Sequence, residues 1–306
     1  MKAGFDYNGI LIVDKPAGFT SHDVVAKLRG MFKTRRIGHG GTLDPMATGV
    51  LPVFIGGATK AADYAAAQDK SYRAGFQLGF ATDTQDITGS VVRRSDIRVE
   101  EAAVRAALAR FEGKQTQLPP MYSAVQVNGK RLYDLARKGI EVERPAREIS
   151  LSRIALERFD GDAQKGTLLI TCSKGTYVRT IVHDLGVRLG TFAAMDSLAR
   201  TRSGAYPLEE AYPLEAVQRA ADEGRLAALL RPTDSLFLDY PAVTLDEAGW
   251  KRAQNGAFID FTHAAGCPRE RGTLCRVYYG GAFQLLGRVD TLQKGGFALF
   301  VHKNFR

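Results

Sequence analysis

The stretch Gly38-His39-Gly40-Gly41-Thr42-Leu43-Asp44-Pro45-Met46-Ala47-Thr48-Gly49-Val50-Leu51-Pro52 governs how the rest of the chain is read. Four glycines and two prolines in fifteen residues bend a backbone into set, non-repeating geometry rather than helix or long strand. One acid, Asp44, lies there with one histidine and two threonine hydroxyls. A rigid loop holding such a set is how a reacting group is positioned. An Asp-Pro step also opens ordinary turns, so local chemistry alone leaves Asp44 as either a reacting acid or a backbone cap.

Working outward, four more segments are distinctive. Asp14-Lys15-Pro16-Ala17-Gly18-Phe19-Thr20-Ser21 precedes the loop. Asp69-Lys70-Ser71-Tyr72, Leu118-Pro119-Pro120-Met121-Tyr122-Ser123-Ala124 and Cys172-Ser173-Lys174-Gly175-Thr176-Tyr177-Val178-Arg179 follow it. Together with the loop they resemble the TruB family of tRNA pseudouridine-55 synthases, whose catalytic loop is written G-H-x-G-[TA]-L-D-P-x-A-T-G-x-L-P. Gly38, His39, Gly41, Thr42, Leu43, Asp44, Pro45, Ala47, Thr48, Gly49, Leu51 and Pro52 meet every specified position. Gly40 stands where family members commonly carry Thr, which would loosen the loop beside His39 without removing a group assigned to the chemistry. The matching blocks run in family order over roughly residues 8 to 210, which chance matches of short motifs rarely produce.

The resemblance implies a set of roles. Asp44 is the nucleophile, attacking the ribose or the base or assisting loss of the base. For that it must be ionised in a pocket that penalises charge, so a fixed cation is expected beside it, and the resemblance assigns Arg179. Tyr72 stacks on the uracil near the sugar, Tyr177 packs in the same pocket and Leu198 lines it. The target uridine is stacked in a folded loop and must be flipped out, and His39 fills or supports the space it leaves. Lys15 supports the Asp44 loop, contacts RNA, or does neither. An added tRNA-folding role is compatible with the same scaffold.

Composition sets outer bounds. The 306 residues suffice for two domains, and 42 Lys+Arg against 33 Asp+Glu leave a net charge of +9. Such an excess points to a polyanionic partner, nucleic acid or an acidic membrane. No apolar run approaches the ~20 residues of a membrane span. Met1-Lys2-Ala3-Gly4-Phe5-Asp6 carries no apolar signal region, so a cytoplasmic enzyme is expected. Cys172, Cys267 and Cys275 are widely spaced, and five histidines form no HxxxH or HExxH pair, so neither a disulfide framework nor a metal site is expected. The glycine-rich loop lacks Gly-Lys-Ser/Thr and no G-x-G-x-x-G follows a strand pattern. No cofactor is expected, since isomerising uridine needs neither redox chemistry nor energy input. No obligate protein partner is evident.

Periodicity gives an α+β fold with a mixed or antiparallel sheet and flanking helices. Ile10 to Val13, Val50 to Ile55, Ser71 to Leu78, Ile149 to Leu156 and Thr167 to Cys172 read as strands. Helices are expected from a Ser21 cap through Phe32, over Val99 to Phe111, Thr176 to Leu189 and Pro213 to Leu230. In the strand alternation Tyr72 shares a face with Ala74, Phe76 and Leu78, so a plain core tyrosine is its bland reading.

The expected catalytic domain spans 1–232, with an insertion at about 122–147. There Lys130, Arg131, Arg137, Lys138, Arg144 and Arg147 outnumber Asp134, Glu141 and Glu143, with Tyr122 and Tyr133 interleaved. A solvated helix face is the default for such a run, but basic groups among aromatics also suit RNA. In the family this insertion is a thumb that clamps the T stem-loop of tRNA, which makes Lys130, Arg131 and Arg137 candidate RNA contacts. Short strand patterns at Ala242 to Leu245, Leu274 to Tyr279, Phe283 to Val289 and Phe297 to Val301 suggest a small β-barrel over 233–306. That part resembles a PUA-like RNA-binding domain, or is a β cap that only stabilises the core.

A non-catalytic RNA-binding protein would not need Asp44, Tyr72 and Arg179 together. A different RNA-modifying enzyme, such as a methyltransferase, would need a cofactor site.

Overall fold

Alternation along Gly9–Lys15 sorts its apolar residues to two sides. Leu11 and Val13 join one cluster, with Val24, Val25, Leu28 and Phe32 of helix Ser21–Phe32 and Leu214 and Val217 of helix Leu214–Asp222. Ile10 and Ile12 join another, on the opposite face. Each such side chain removed from water is worth about 1.5–3 kcal/mol, so one strand fastens two layers. The chain is described by a computed structural model covering residues 7–127, 129–293 and 295–305. Met1 to Asp6, Asn128 of the thumb-like segment, Lys294 and Arg306 lie outside the described residues.

The large sheet has ten strands, in the order Tyr212–Pro213, Gly9–Lys15, Thr48–Ile55, Ala193–Ser203, Lys70–Leu78, Lys165–Cys172, Arg147–Asp160, Gly113–Gln117, with Ile37–His39 and Tyr206–Pro207 paired at its flanks. It is mixed. Gly9–Lys15 runs parallel to Tyr212–Pro213, and Thr48–Ile55 parallel to Ala193–Ser203; the other pairs are antiparallel. The central strand Ala193–Ser203 went unread in the sequence because it is not apolar: Asp196, Arg200 and Arg202 break the alternation. Helices Glu101–Leu108 and Val178–Arg188 cover one face, and Val104, Leu108, Val178, Ile181, Val182 and Leu185 pack on Ala74, Phe76, Leu168 and Ile170.

Two helix expectations change in detail. Thr20, not Ser21, is the N-cap of the first helix, in a reciprocal capping box with Asp23. The helix expected to run to Leu230 ends at Asp222; Gly224 follows at φ +69, and a 3-10 turn, Leu226–Leu229, takes over.

After Pro232 a second sheet of five strands is ordered Ala264–Ala265, Ala242–Leu245, Leu274–Tyr279, Ala282–Thr291, Phe297–Asn304. Gly280 and Gly281 join two of its strands as a hairpin turn. Its own core holds Val243, Leu245, Trp250, Val277, Val289 and Leu299. The expected barrel is present as this open sheet, its far strand joined to the preceding segment by a single bridge between Ile259 and Leu299. The two sheets share a cluster: Phe237, Leu286 and Phe305 pack with Ile10, Ile12 and Phe54.

Candidate active site

Three tethers hold the Asp44 loop from one side, and all come from the segment Lys15 to Ser21. The Lys15 ammonium donates to the carbonyls of Pro16 (3.0 Å), Phe19 (2.6 Å) and Pro45 (3.3 Å). The Gly18 amide donates to Pro45 O at 2.9 Å. The Ser21 hydroxyl accepts from the Leu43 amide at 2.9 Å. This explains why that motif accompanies the loop: it grips the residues on either side of Asp44. Lys15 is fully buried (0 % exposed), so of the expected alternatives the geometry carries loop support and leaves it no surface for RNA contact. Burial pulls its ammonium down to about 8, against the pull of Asp44 upward.

Asp44 itself stays accessible, its side chain 36 % exposed, and its carboxylate is gripped by Arg179. Arg179 Nε lies 2.9 Å from Oδ2 and Nη2 donates to Oδ1 at 3.3 Å, a two-pronged contact that only a planar guanidinium makes. Its other N–H groups are also engaged: Nη1 donates to Thr84 O and Nη2 to Tyr122 O, both at 2.9 Å, and Nη1 stands 3.8 Å from Asp86 Oδ2. The guanidinium is nearly sealed, at 6 % side-chain exposure. With its donors spent on the protein, Arg179 is built to hold Asp44 rather than a phosphate.

Arg179 is set in the first turn of helix Val178–Arg188, whose N-cap is Tyr177. Buried Gln117 clamps that residue from both sides, accepting from the Tyr177 amide (2.8 Å) and donating to its carbonyl (3.1 Å). Asp86, absent from the sequence reading, is buried and accepts from Thr84 Oγ1 (2.9 Å), the Thr88 amide (2.9 Å) and Thr88 Oγ1 (2.5 Å). The run Asp83-Thr84-Gln85-Asp86-Ile87-Thr88-Gly89, rich in turn-forming side chains, was the available signal.

Tyr72 and Leu198 stand on the sheet face under the loop, packed with Leu43, Met46 and Ala47. Burial pushes the Tyr72 phenol up from its ordinary value; the positive charge of Arg200, its cross-strand neighbour, works the other way. His39 ends the strand Ile37–His39, across from Val53. Its Nδ1 is buried without a hydrogen bond among the described residues, and burial, then Arg200, hold the ring below the ordinary histidine range. Gly40 does not slacken this strand end. Its amide donates to Pro52 O at 2.9 Å, and an added Cβ would stand 2.8 Å from Ala65 Cβ and 3.0 Å from the Phe54 ring. The space a threonine side chain would need is filled.

Asp44, Arg179, Tyr72 and Leu198 are thus brought together at the loop. Lys130, Arg131 and Arg137 are exposed on a separate unit, the hairpin of Gln126–Val127 and Lys130–Arg131 and the short helix Leu132–Ala136. There Arg131 and Arg137 flank the Tyr133 ring at 5.9 and 5.5 Å. The root of this unit reaches the site, because Tyr122 O is one of the acceptors of Arg179.

The chain is similar to known proteins. Residues 29–178 match the N-terminal domain model of the TruB family of pseudouridylate synthases, and residues 179–238 match the C-terminal domain model of tRNA pseudouridylate synthase B. Asp44 therefore comes from the first matched segment, and Arg179 opens the second. A "tRNA pseudouridine synthase B" of Lactiplantibacillus plantarum is 43% identical over 286 residues, 91% of this chain and 93% of that protein. One of Moorella thermoacetica is 43% identical over 300 residues, covering 96% and 98%. Among solved structures, one titled "Crystal Structure of a Cbf5-Nop10-Gar1 Complex" superposes with a TM-score of 0.75 at 25% identity, over 99% of this chain and 86% of that one. No described helix is long and apolar enough to cross a membrane. In sequence and in fold, the chain belongs to the TruB family of pseudouridylate synthases.

Proposed function

We infer that this protein isomerises a uridine of tRNA to pseudouridine, at position 55 in the T loop, with Asp44 as the nucleophile. The observation that carries this reading is an accessible carboxylate held at both oxygens by a buried arginine. Breaking the N-glycosidic bond, turning the uracil and rejoining it through C5 requires one ionised acid that stays in place through both bond changes. Arg179 supplies charge and orientation for that acid. Tyr72 and Leu198 offer a flat apolar floor for the uracil, and Tyr177 flanks the arginine's helix. His39, held toward its neutral form, supports the space from which the base is flipped.

The substrate is a tRNA T stem-loop, gripped by Lys130, Arg131 and Arg137 of the thumb at 122–147. Residues 1–232 form the catalytic domain and residues 233–306 an auxiliary PUA-like RNA-binding domain, in a cytoplasmic enzyme. Exposed cations around an aromatic ring support the thumb assignment. An independent core under the five-stranded sheet supports the division.

The test is Asp44→Asn with tRNA tritiated at uridine C5. Asn keeps size and polarity but is a far poorer nucleophile, so tritium release should fall by at least about 10³-fold while T stem-loop binding survives. Activity within about tenfold of the wild type, ~1.4 kcal/mol in barrier, removes Asp44 from this role.

A further inference from the structure

Among the described residues, the largest fully buried side chain is Arg200, at 1 % exposure. Among the described residues no carboxylate lies within ion-pair distance of its guanidinium. A buried cation without a counter-ion is costly, and a chain seldom carries one in a central strand merely to fill space. Its contacts say what it does. Nε donates to Val50 O at 2.7 Å and Nη2 to Gly41 O at 3.2 Å. Gly41 and Val50 bracket Asp44, so one guanidinium ties the two arms of the catalytic loop together. The backbone is engaged as well: Arg200 pairs in register with Gly49, where an added Cβ would stand 2.3 Å from Arg200 O. Across the other edge of the same strand, Arg200 is the register partner of Tyr72, so the two side chains share the face beneath the loop.

Resting on the functional reading above, we propose that Arg200 is a positioning residue for the isomerisation, fixing the Asp44 loop and the Tyr72 hydroxyl relative to each other through one buried guanidinium. Lys15 and Arg179 grip the loop at Pro45 and at the Asp44 carboxylate; of these only Arg200 both ties the loop arms and stands directly across the strand pair from Tyr72. Its charge also faces His39, Lys15 and Lys70, each of which it pushes toward the neutral form. The titratable groups that bear on the Tyr72 hydroxyl are Arg200, Cys172 and Asp44, and only Arg200 favours the phenolate. Removing the charge of Arg200 therefore moves the titration of Tyr72 to higher pH, which a simple loop staple would not do.

The experiment uses Arg200→Gln, which keeps an amide donor for the carbonyls but loses the charge, and Arg200→Lys, which keeps the charge. Single-turnover tritium release at saturating enzyme should fall about 100-fold in Arg200→Gln, the scale of a displaced catalytic group, with RNA affinity within about twofold of the wild type. Arg200→Lys should recover part of that rate. In the free protein, the Tyr72 ring carbon signal, assigned by its loss in Tyr72→Phe, should titrate at higher pH in Arg200→Gln and near the wild-type position in Arg200→Lys. A Tyr72 titration unmoved in Arg200→Gln, or a rate within about threefold of the wild type, overturns the proposal. Should Arg200→Gln fail to fold, Arg200→Lys decides: a rate about tenfold below the wild type with Tyr72 at its wild-type titration supports the fixing geometry, and a rate within about threefold of the wild type refutes it. The titration needs no RNA, so it is read even if wild-type protein releases no tritium, the outcome that would sink the functional reading itself.

Discussion

Two groups of basic side chains in this protein carry the same charge and do opposite things. Around and beyond the Asp44 loop, Lys15, Lys70, Arg179 and Arg200 are all buried, against a single buried carboxylate among the described residues, Asp86. They spend their donors on backbone carbonyls and on Asp44: Lys70 alone donates to Ala65 O and Ala66 O, at 3.1 and 2.6 Å, and to Gln68 O. On the thumb, Lys130, Arg131 and Arg137 are exposed, and Arg131 and Arg137 meet the face of Tyr133 instead of a carbonyl. The first group is architecture for a carboxylate; the second is free for an external anion. A net charge of +9 counts both alike, so composition overstates the surface open to RNA.

The contrast is tested most severely at Arg179. Arg179→Lys replaces a two-pronged grip with a point charge, and the single-turnover rate should fall by about 10²-fold or more with tRNA affinity within about twofold. Weakened binding with an unchanged single-turnover rate would move Arg179 into the second group, as a phosphate contact.

Backbone contacts around the loop give the next largest effect. Gly49 has φ +100 and a Cβ added there would stand 2.3 Å from Arg200 O, so Gly49→Ala should cost about 3 kcal/mol or more in urea unfolding. Gly40→Thr, which installs the residue common in the family, should also destabilise, by about 1–3 kcal/mol. Ala65→Gly should restore part of it by removing the methyl 2.8 Å away. Equal stability of Gly40→Thr and the parent protein would show that Phe54 and Ala65 yield freely.

Neutralising Lys130, Arg131 and Arg137 together should weaken tRNA binding and reduce the slope of log affinity against log salt by somewhat under one for each lost phosphate contact. The chemical step at saturating enzyme should hardly change. An unaltered slope would return these residues to a solvated face. Deleting the chain from Asp234 onward is a poorer probe of RNA binding, because it strips Phe237, Leu286 and Phe305 from a core shared with Ile10 and Phe54.

The smallest effect is on pH dependence. Burial first, and for Lys70 the nearby Arg200 next, lower both Lys15 and Lys70 to about 8 from an ordinary 10.5. Between those values the unfolded chain binds more protons than the folded one, so stability from these groups rises with pH across that window. Denaturant unfolding at several pH values should show that rise, and Lys15→Met should flatten it. A fall in the Lys15 and Lys70 contribution over the same window would mean that their folded-state ammonium groups are favoured rather than penalised.

Some of this was legible in the chain alone. Apolar alternation and capping residues placed most strands of the large sheet and its first helix, because those signals are local. The loop around Asp44, with Arg179 as its partner, was legible through family resemblance. Asp86 escaped because a single acid in a polar turn looks like any other until the fold brings it 3.8 Å from Arg179. The barrel expectation went further than the strands support, since strand count does not reveal whether a sheet's edges meet.

By itself, the sequence determined the α+β class and the strand faces, since backbone bending and alternation are written within a few neighbouring positions. Only the tertiary structure decided which cations are buried and what they hold. For Lys15 the sequence leaves loop support, RNA contact or neither open, and Arg200 goes unread, until the strands Gly9–Lys15 and Ala193–Ser203 take their places on either side of Thr48–Ile55. Burial and pairing are properties of distant segments brought together, and no local pattern encodes them.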